Sequence, residues 1–591
     1  MFRKSRLLDF TVVGLALWAS AGGFGTVALG DGGGPMSQST DDPSLEWPRY
    51  PPAESLWQGP FATQPVCAEC HTNTDESVAM RDVQGRPVGQ YDLWRSSMMA
   101  NSFRDPYWHA AVSAEVLDLP ELSEAIEAKC LRCHGPMASE LAHWEGRPPA
   151  TRHSVLSDPQ EAQLAQDGVS CTLCHQITEQ GLGQAESFSG NFEINGYSEI
   201  YGPYYDAYGQ NMQVRSQYGP VHGEHLSKSA LCATCHTLFT NPVDADGKVL
   251  TIEFPEQTPY LEWRNSVYST EVEAPGPQAA DCQDCHMPRT DVDGNDIWTR
   301  IAHDHDGQDY GWLPERSPYA RHVFVGGNTF LPQIFINHQA TLRPDVPVAA
   351  FAETLARTRA QLNTVTGRVE LMDVVQEGEL LKATVSVHNL AGHKFPTGYP
   401  SRRAWLYFEV RDTAGDLLFV SGAYNPQGML TDAQGMVLPC ESPGGSTQPH
   451  YQLIDSDTQV QIYQAIMGNA EGHPTNRLLR ATHYLKDNRL LPAGYASDFP
   501  DAKHTAPEGL NGDPDFGAGG DRVHFQVPLG VSATVGSVKA ILYYQSIGAR
   551  HLHELFELDS NDIRVFEAMM EGVDKTPEIV AEDSFEFGES G

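Results

Sequence analysis

The sequence predicts a multidomain chain: a loop-rich, mainly α first part followed by an antiparallel β-sandwich. Three observations predict it. Ten of the eleven cysteines recur in one five-residue pattern between Cys67 and His286. Strand-like alternation is sparse in that region, and turn-rich stretches such as Asn195–Gly209 separate the patterns. Beyond residue 364 the hydrophobic period becomes two.

Residues 1–30 open with Arg3, Lys4 and Arg6 before the apolar run Phe10–Ala21. A basic start, a short apolar run and small residues after it read as an export signal. An uncleaved anchor is the competing reading, but its glycines make a poor spanning helix. No later segment is long and apolar enough to cross a bilayer. The expected location is therefore periplasmic or extracellular. Residues 31–60, rich in Gly, Pro and Ser, read as a flexible linker.

The patterns are Cys67-x-x-Cys70-His71, Cys130-x-x-Cys133-His134, Cys171-x-x-Cys174-His175, Cys232-x-x-Cys235-His236 and Cys282-x-x-Cys285-His286. C-x-x-C-H is the c-type haem attachment pattern. Two thiols two residues apart reach the two vinyl groups of one porphyrin, and the next histidine meets the iron from the proximal side. Zinc ribbons also use C-x-x-C, yet they do not require histidine after every second cysteine. Five covalently bound c-type haems are the expectation. Cys440 has no partner left over and reads as a free thiol or an intermolecular link.

The five patterns span 220 residues, about 44 each. A compact domain of 300 residues has a radius of gyration of about 19 Å. Five macrocycles inside residues 61–345 must then lie close together, close enough for electrons to pass between them.

Each iron has a second axial seat, and eighteen histidines remain once the proximal ones are assigned. His222 and His225 precede the fourth pattern and are distal candidates. His322 sits at a polar-to-apolar transition in ERSPYARHVFVGGN and is a better one. His109 follows Pro106 at a helix start, and reads equally as a buried, hydrogen-bonded histidine. His303 and His305 lie in IAHDHDGQDYG, which reads as a solvated loop or a weak calcium site. Met98 and Met99 are thioether candidates, with a packed helical face as the competing reading.

Val348, Phe351, Leu355 and Leu362 recur at helical spacing, so residues 346–364 read as a connecting helix. Residues 365–575 read as the sandwich. Ala383, Val385 and Val387 alternate with Thr384, Ser386 and His388, and Ala404–Gly422 reads as a hairpin turning at Thr413–Asp416. Residues 576–591 read as an acidic tail. In a loop of this second half stands His393, after Gly392 and ahead of Pro396 and Gly398. A stiff loop of that kind could carry a sixth iron ligand across to the first half, which makes His393 a distal candidate. A histidine bonding its own loop backbone is the competing reading.

The pieces CQDCHMP, HVFVGGN, GHKFPTGYPSRRAWL, VQIYQAIMG and YLKDNRLLP resemble an exported multihaem (pentahaem) c-type cytochrome family with a C-terminal β-sandwich. The haem half is similar to the superfamily of hydroxylamine oxidoreductase and tetrahaem cytochromes c. The resemblance covers roughly residues 61–580. In related haem domains a W-x-x-S-x-H-A pattern supplies a distal histidine. Here Trp94-Arg-Ser-Ser-Met-Met-Ala100 places Met99 where that histidine would be, which implies a His/Met site of raised potential.

The net charge of −38 argues against nucleic acid and against anionic membrane surfaces. Basic or neutral redox partner proteins are expected: a membrane-linked electron donor and a terminal acceptor. The oligomeric state is left open. Five haems and export, with no other catalytic constellation, point to an electron carrier. An oxidoreductase acting on a small nitrogen or sulfur compound at an open distal site is the alternative. A docking role for the sandwich is compatible with either.

Overall fold

Each Cys-x-x-Cys pair lies in a short helix of the chain, a computed structural model that describes residues 47–588 apart from Arg49 and Tyr197. These are α1 (Gln64–His71), α3 (Ser123–His134), α4 (Cys171–Cys174), α5 (Ser229–His236) and α6 (Cys282–His286). Between the first two lies α2 (Pro106–Asp118). It starts sharply because Pro106 presets its first turn and the Asp105 side chain accepts from Tyr107 N and Trp108 N. In α6 the same need is met by a capping box between Asp281 and Asp284. Helix α7 (Phe330–Asn337) and the long α8 (Val348–Val365) follow.

Helix α8 buries Phe351, Leu355 and Leu362 as its period requires, together with Thr354 and Thr358. Val348 departs from the expectation. It is the first residue of the helix, where no neighbouring turn covers it, and it is exposed.

Among the described residues the second half builds two large sheets, besides the short pair Ala423–Tyr424 with Leu430–Thr431. One is ordered β5–β8–β2–β1, from β1 (Gly367–Glu377), β2 (Leu380–Asn389), β5 (Leu453–Ile454) and β8 (Gly520–Pro528). The other has six strands. Its order is β7–β6–β3–β9–β10, with β4 also on β3. It uses β3 (Arg403–Asp412), β4 (Leu417–Ser421), β6 (Ile462–Gly468), β7 (His483–Asp487), β9 (Val535–Gln545) and β10 (Glu578–Glu586). The hairpin turns at residues 413–416, as the alternation predicts. Within these two sheets all pairings are antiparallel except the short β5 on β8. One apolar cluster takes Leu381, Val385 and Phe525 from the first sheet and Phe408, Val538 and Leu542 from the second. Phe408 and Phe525 stack at 3.9 Å between ring centres. The polar face of β2 is covered as well. Thr384 and Ser386 are buried, and their hydroxyls bond His524 Nδ1 and His388 Nε2.

Three expectations differ from the structure. The export signal lies outside the described residues, but the described end of the expected 31–60 linker is tied down at Tyr50 and at Trp57–Gln58. Tyr50 is buried, and Trp57–Gln58 pairs with Phe61–Ala62. Residues 576–591 are not a free tail where described. Residues 578–586 form β10 along β9, because Val580 has a fully buried seat in the sheet's core. Finally, residues 549–570 are helical: α9 (Ala549–Phe556) and α10 (Asn561–Met570). Their Leu552, Leu555, Phe566 and Met569 bury against Phe330, Phe335 and Phe351. An apolar face seeks an apolar partner, so these helices join the first half instead of the sheets.

Candidate functional site

The spacing i, i+3, i+4 places both thiols and the histidine of each pattern on neighbouring positions of one helical face. The ten cysteines are unbridged. In four patterns the imidazole is oriented by its own Nδ1–H. His71 donates to Ile301 O at 2.9 Å, His134 to Ser102 O at 3.1 Å, His175 to Tyr201 O at 2.6 Å, and His286 to Val325 O. Such a bond fixes the tautomer and leaves Nε2 as the lone-pair donor. Burial pushes the pKa of His71, His134 and His236 down to about 4, with the neighbouring His286 adding to the effect at His236. These rings are neutral at physiological pH and able to bind metal.

His71, His134 and His175 are half-buried and His236 is exposed. Thiol pairs with an imidazole Nε2 beside them fit a covalently attached porphyrin. The sites also neighbour one another. The thiols of Cys67 and Cys171 act on each other electrostatically, as do those of Cys133 and Cys235, and of Cys232 and Cys282. Cys174 and Cys235 interact at longer range. All five patterns thus belong to one connected set.

Two histidines stand opposite pattern histidines. His393 lies parallel to His286, with ring centres 6.3 Å apart and 12° between planes. His322 lies parallel to His175 at 6.5 Å and 13°. An imidazole nitrogen binds a transition metal at about 2 Å and lies about 1.2 Å from its ring centre. Two imidazoles facing one metal therefore have centres about 6.3 Å apart. His393 Nδ1–H donates to Lys394 O at 2.9 Å, and His322 Nδ1–H to Ala320 O at 3.0 Å, so in both rings Nε2 is left free. Burial pushes His322 down to about 4 and lowers His393 as well.

The loop carrying His393 is gripped by the first half. Lys394 N and Thr397 Oγ1 donate to Glu262 Oε2 at 3.1 and 2.5 Å, and Arg489 pairs with Glu262 Oε1 at 3.1 Å. Lys394 Nζ meets Asp487 Oδ2 at 2.6 Å, and Arg489 also binds Asp487. Burial alone would raise the Asp487 pKa, but Arg489 and Lys394 outweigh it and hold the carboxyl below its usual range. Gly392 is needed for close approach. A Cβ there would stand 3.3 Å from Trp263 and 3.4 Å from Tyr268.

The remaining candidates are placed as follows. His109 is buried, and its Nε2–H donates to Phe103 O at 2.9 Å, with Tyr50 Oη at 3.3 Å from the same nitrogen. That nitrogen is committed, which is the hydrogen-bonded alternative for this residue. His225 Nε2–H donates to Ile177 O at 2.8 Å, leaving only Nδ1. His222 stacks on Tyr205 at 3.5 Å. Met99 is half-buried, and its carbonyl accepts from Val169 N. His303 is more telling than its acidic sequence setting suggests. It is 2 % exposed, its backbone N–H donates to Cys70 O, and its Nε2 is buried without a partner. The neighbouring Asp304 uses Oδ1 on the amides of Asp306 and Gln308, a local turn instead of a converging calcium cage. Cys440 is buried, and burial pushes its thiol up to about 11.

No family model matches the chain, and no curated protein does. A solved structure similar to it is a penta-heme cytochrome c552 from Thermochromatium tepidum, at 15% sequence identity and a TM-score of 0.44, covering 89% of this chain and 98% of that one. Among the described residues no helix is long and apolar enough to cross a membrane.

Proposed function

We propose that this chain is a multihaem c-type cytochrome that carries electrons through five covalently attached haems, in the periplasm or at the cell exterior. When bound, such groups supply one-electron carriage at iron. The contribution of the chain is to attach, orient and enclose. Paired thiols fix each group, and Nδ1–carbonyl bonds aim four of the five proximal imidazoles. His322 and His393 are proposed as distal ligands opposite His175 and His286, with His303 as a further candidate. The two sheets are proposed to form a β-sandwich that presents His393.

The observation that carries this reading is the connection of all five cysteine patterns through neighbouring thiols. Sites whose thiols neighbour one another would hold their cofactors within electron-transfer range. The strongly acidic surface suits basic redox partners. The mass and pyridine haemochrome of the exported, matured protein test the reading. Five haems per chain are expected, and a zinc-loaded, haem-free chain would overturn it. The alternative, an oxidoreductase acting on a small nitrogen or sulfur compound, requires a polar pocket beside one pattern histidine.

A further inference from the structure

The six-stranded sheet carries a cavity of about 450 Å³ on its outer face. Its origin lies in the strand period. Along β3 and β9, Phe408, Val410, Val538 and Leu542 enter the apolar cluster shared by the two sheets. Tyr407, Glu409, Lys539, Ile541 and Tyr543 alternate with them and fall on the opposite face. A solvent-side face is expected to be polar. Here it is apolar in part: Ile541 is 4 % and Tyr543 8 % exposed. The segment after β4 covers them, and its Leu430, Leu438 and Cys440 pack with Trp405, Ile541 and Tyr543 in a small second core. The cavity lies beside Ala423–Tyr424 of that segment. It is lined by these two residues and the five outward ones of β3 and β9.

Three tyrosines shape it. Tyr407 and Tyr424 both cross Tyr543 steeply, at 76° and 80° between planes, with ring centres 5.9 and 5.3 Å from its own. Such edge-to-face contacts hold the rings in place. Tyr543 is buried and serves as floor, while Tyr407 and Tyr424 are half-buried and keep ring surface for an occupant.

The charged groups of the lining are already matched. Glu409 and Lys539 are partners across the β3–β9 ladder. Both Glu409 oxygens are taken: Oε2 by Tyr407 Oη and Arg411, each at 2.7 Å, and Oε1 by Arg411 at 2.8 Å. Lys539 Nζ meets Glu582 Oε2 of β10 at 2.8 Å. An ionic occupant therefore finds no unmatched counterion here. Partly exposed pairs of this kind hold little energy and can share their bonds with a ligand hydroxyl.

These walls suit an uncharged ligand with apolar faces and hydroxyls at its edge. A sugar ring has that form. Its C–H groups carry a small positive charge and meet the negative face of an aromatic ring. The volume lies within the range of small-molecule sites.

We propose that Tyr407, Tyr424 and Tyr543 form a binding site for a neutral oligosaccharide, with Glu409 and Lys539 bonding its hydroxyls. The site belongs to the half without cysteine patterns and stands independently of the cytochrome reading.

The test is calorimetric titration of the full, matured chain with maltohexaose, cellohexaose, mannohexaose and chitohexaose. Saturable binding of at least one is expected. Its affinity should change less than twofold between about 0.05 and about 0.5 M sodium chloride, because the ligand bears no charge to screen. Tyr407→Ala and Tyr424→Ala should each weaken binding on the order of tenfold, the loss of one ring contact. Tyr424 lies on the covering segment, so its variants leave β3 and β9 intact. Tyr424→Phe keeps the ring and should bind within threefold of the parent, which separates loss of the ring from damage to that segment. No binding of any of the four sugars would overturn the site, as would equal affinity in the folded alanine variants. Binding that falls steeply with salt would overturn it too, since that marks a charged contact. Haem content, read by pyridine haemochrome, bears on neither outcome.

Discussion

His393 lies parallel to His286 at 6.3 Å between ring centres, although one belongs to a loop between strands and the other to a cysteine pattern. Each ring bonds a backbone carbonyl through Nδ1, which leaves its Nε2 available, and the two are proposed to share one iron. His393→Ala should leave five haems attached and convert one from low spin to high spin. His322→Ala should do the same at the His175 site, and the double variant should convert two. Electron paramagnetic resonance of the oxidised protein reads this directly, and a wholly low-spin spectrum in each variant would refute the ligand assignment.

Glu262 joins the two halves under that loop. It accepts from Lys394 N and Thr397 and pairs with Arg489, all in buried surroundings. Glu262→Gln keeps the shape and removes the charge, leaving Arg489 partly uncompensated. Breaking a buried pair in this way costs about 3 kcal/mol. Urea unfolding should show that loss. The low-spin signal of the His393 site should broaden or split, since its loop is less tightly held. A variant as stable as the parent would show that the network does not clamp the halves.

Asp521 is buried in the sheet, accepting from Tyr463 Oη at 2.8 Å and Gln461 Nε2 at 3.1 Å, while its Oδ1 has no partner. Burial pushes its pKa up to about 7. Between its ordinary value and 7 the folded chain holds a proton that the unfolded chain releases. The stability from this group is therefore fully present at acid pH and is lost as pH rises through 7. The change is on the order of a few kcal/mol. Asp521→Asn should flatten the fall in stability between pH 4 and 7, measured by denaturant unfolding at several pH values. An unaltered pH slope would mean that Asp521 is not the group responsible.

Strand β10 contributes Val580 to the core and lines the outer side of β9. Removing residues 576–591 should therefore lower stability by about 2 kcal/mol from Val580 alone, and more from the lost ladder. Thermal unfolding of the truncated chain checks this. An unchanged midpoint is the result expected of a dispensable tail.

Much of the local structure was legible in the sequence. The α8 helix showed in its 3.6-residue period and the β3–β4 hairpin in its alternation, because each buries one face against a neighbour. The residues after 576 misled because their acidity describes the solvent side of a strand. The apolar partners, Val580 and its neighbours, are too few to stand out. The cluster of Tyr107, Tyr399 and His551 left no pattern at all, since its members come from three distant segments.

The sequence by itself determined the five Cys-x-x-Cys-His patterns, proposed here as attachment sites. Covalent chemistry requires two thiols and an imidazole at fixed short spacing, and a short spacing is written in the chain. Tertiary structure alone decided what stands opposite them. A sixth ligand needs only one histidine at the right point in space, with no constraint on where in the chain it comes from. His322 and His393 gained their meaning when packing brought them parallel to His175 and His286. His109, of the same residue type, was drawn instead into a hydrogen bond with Phe103.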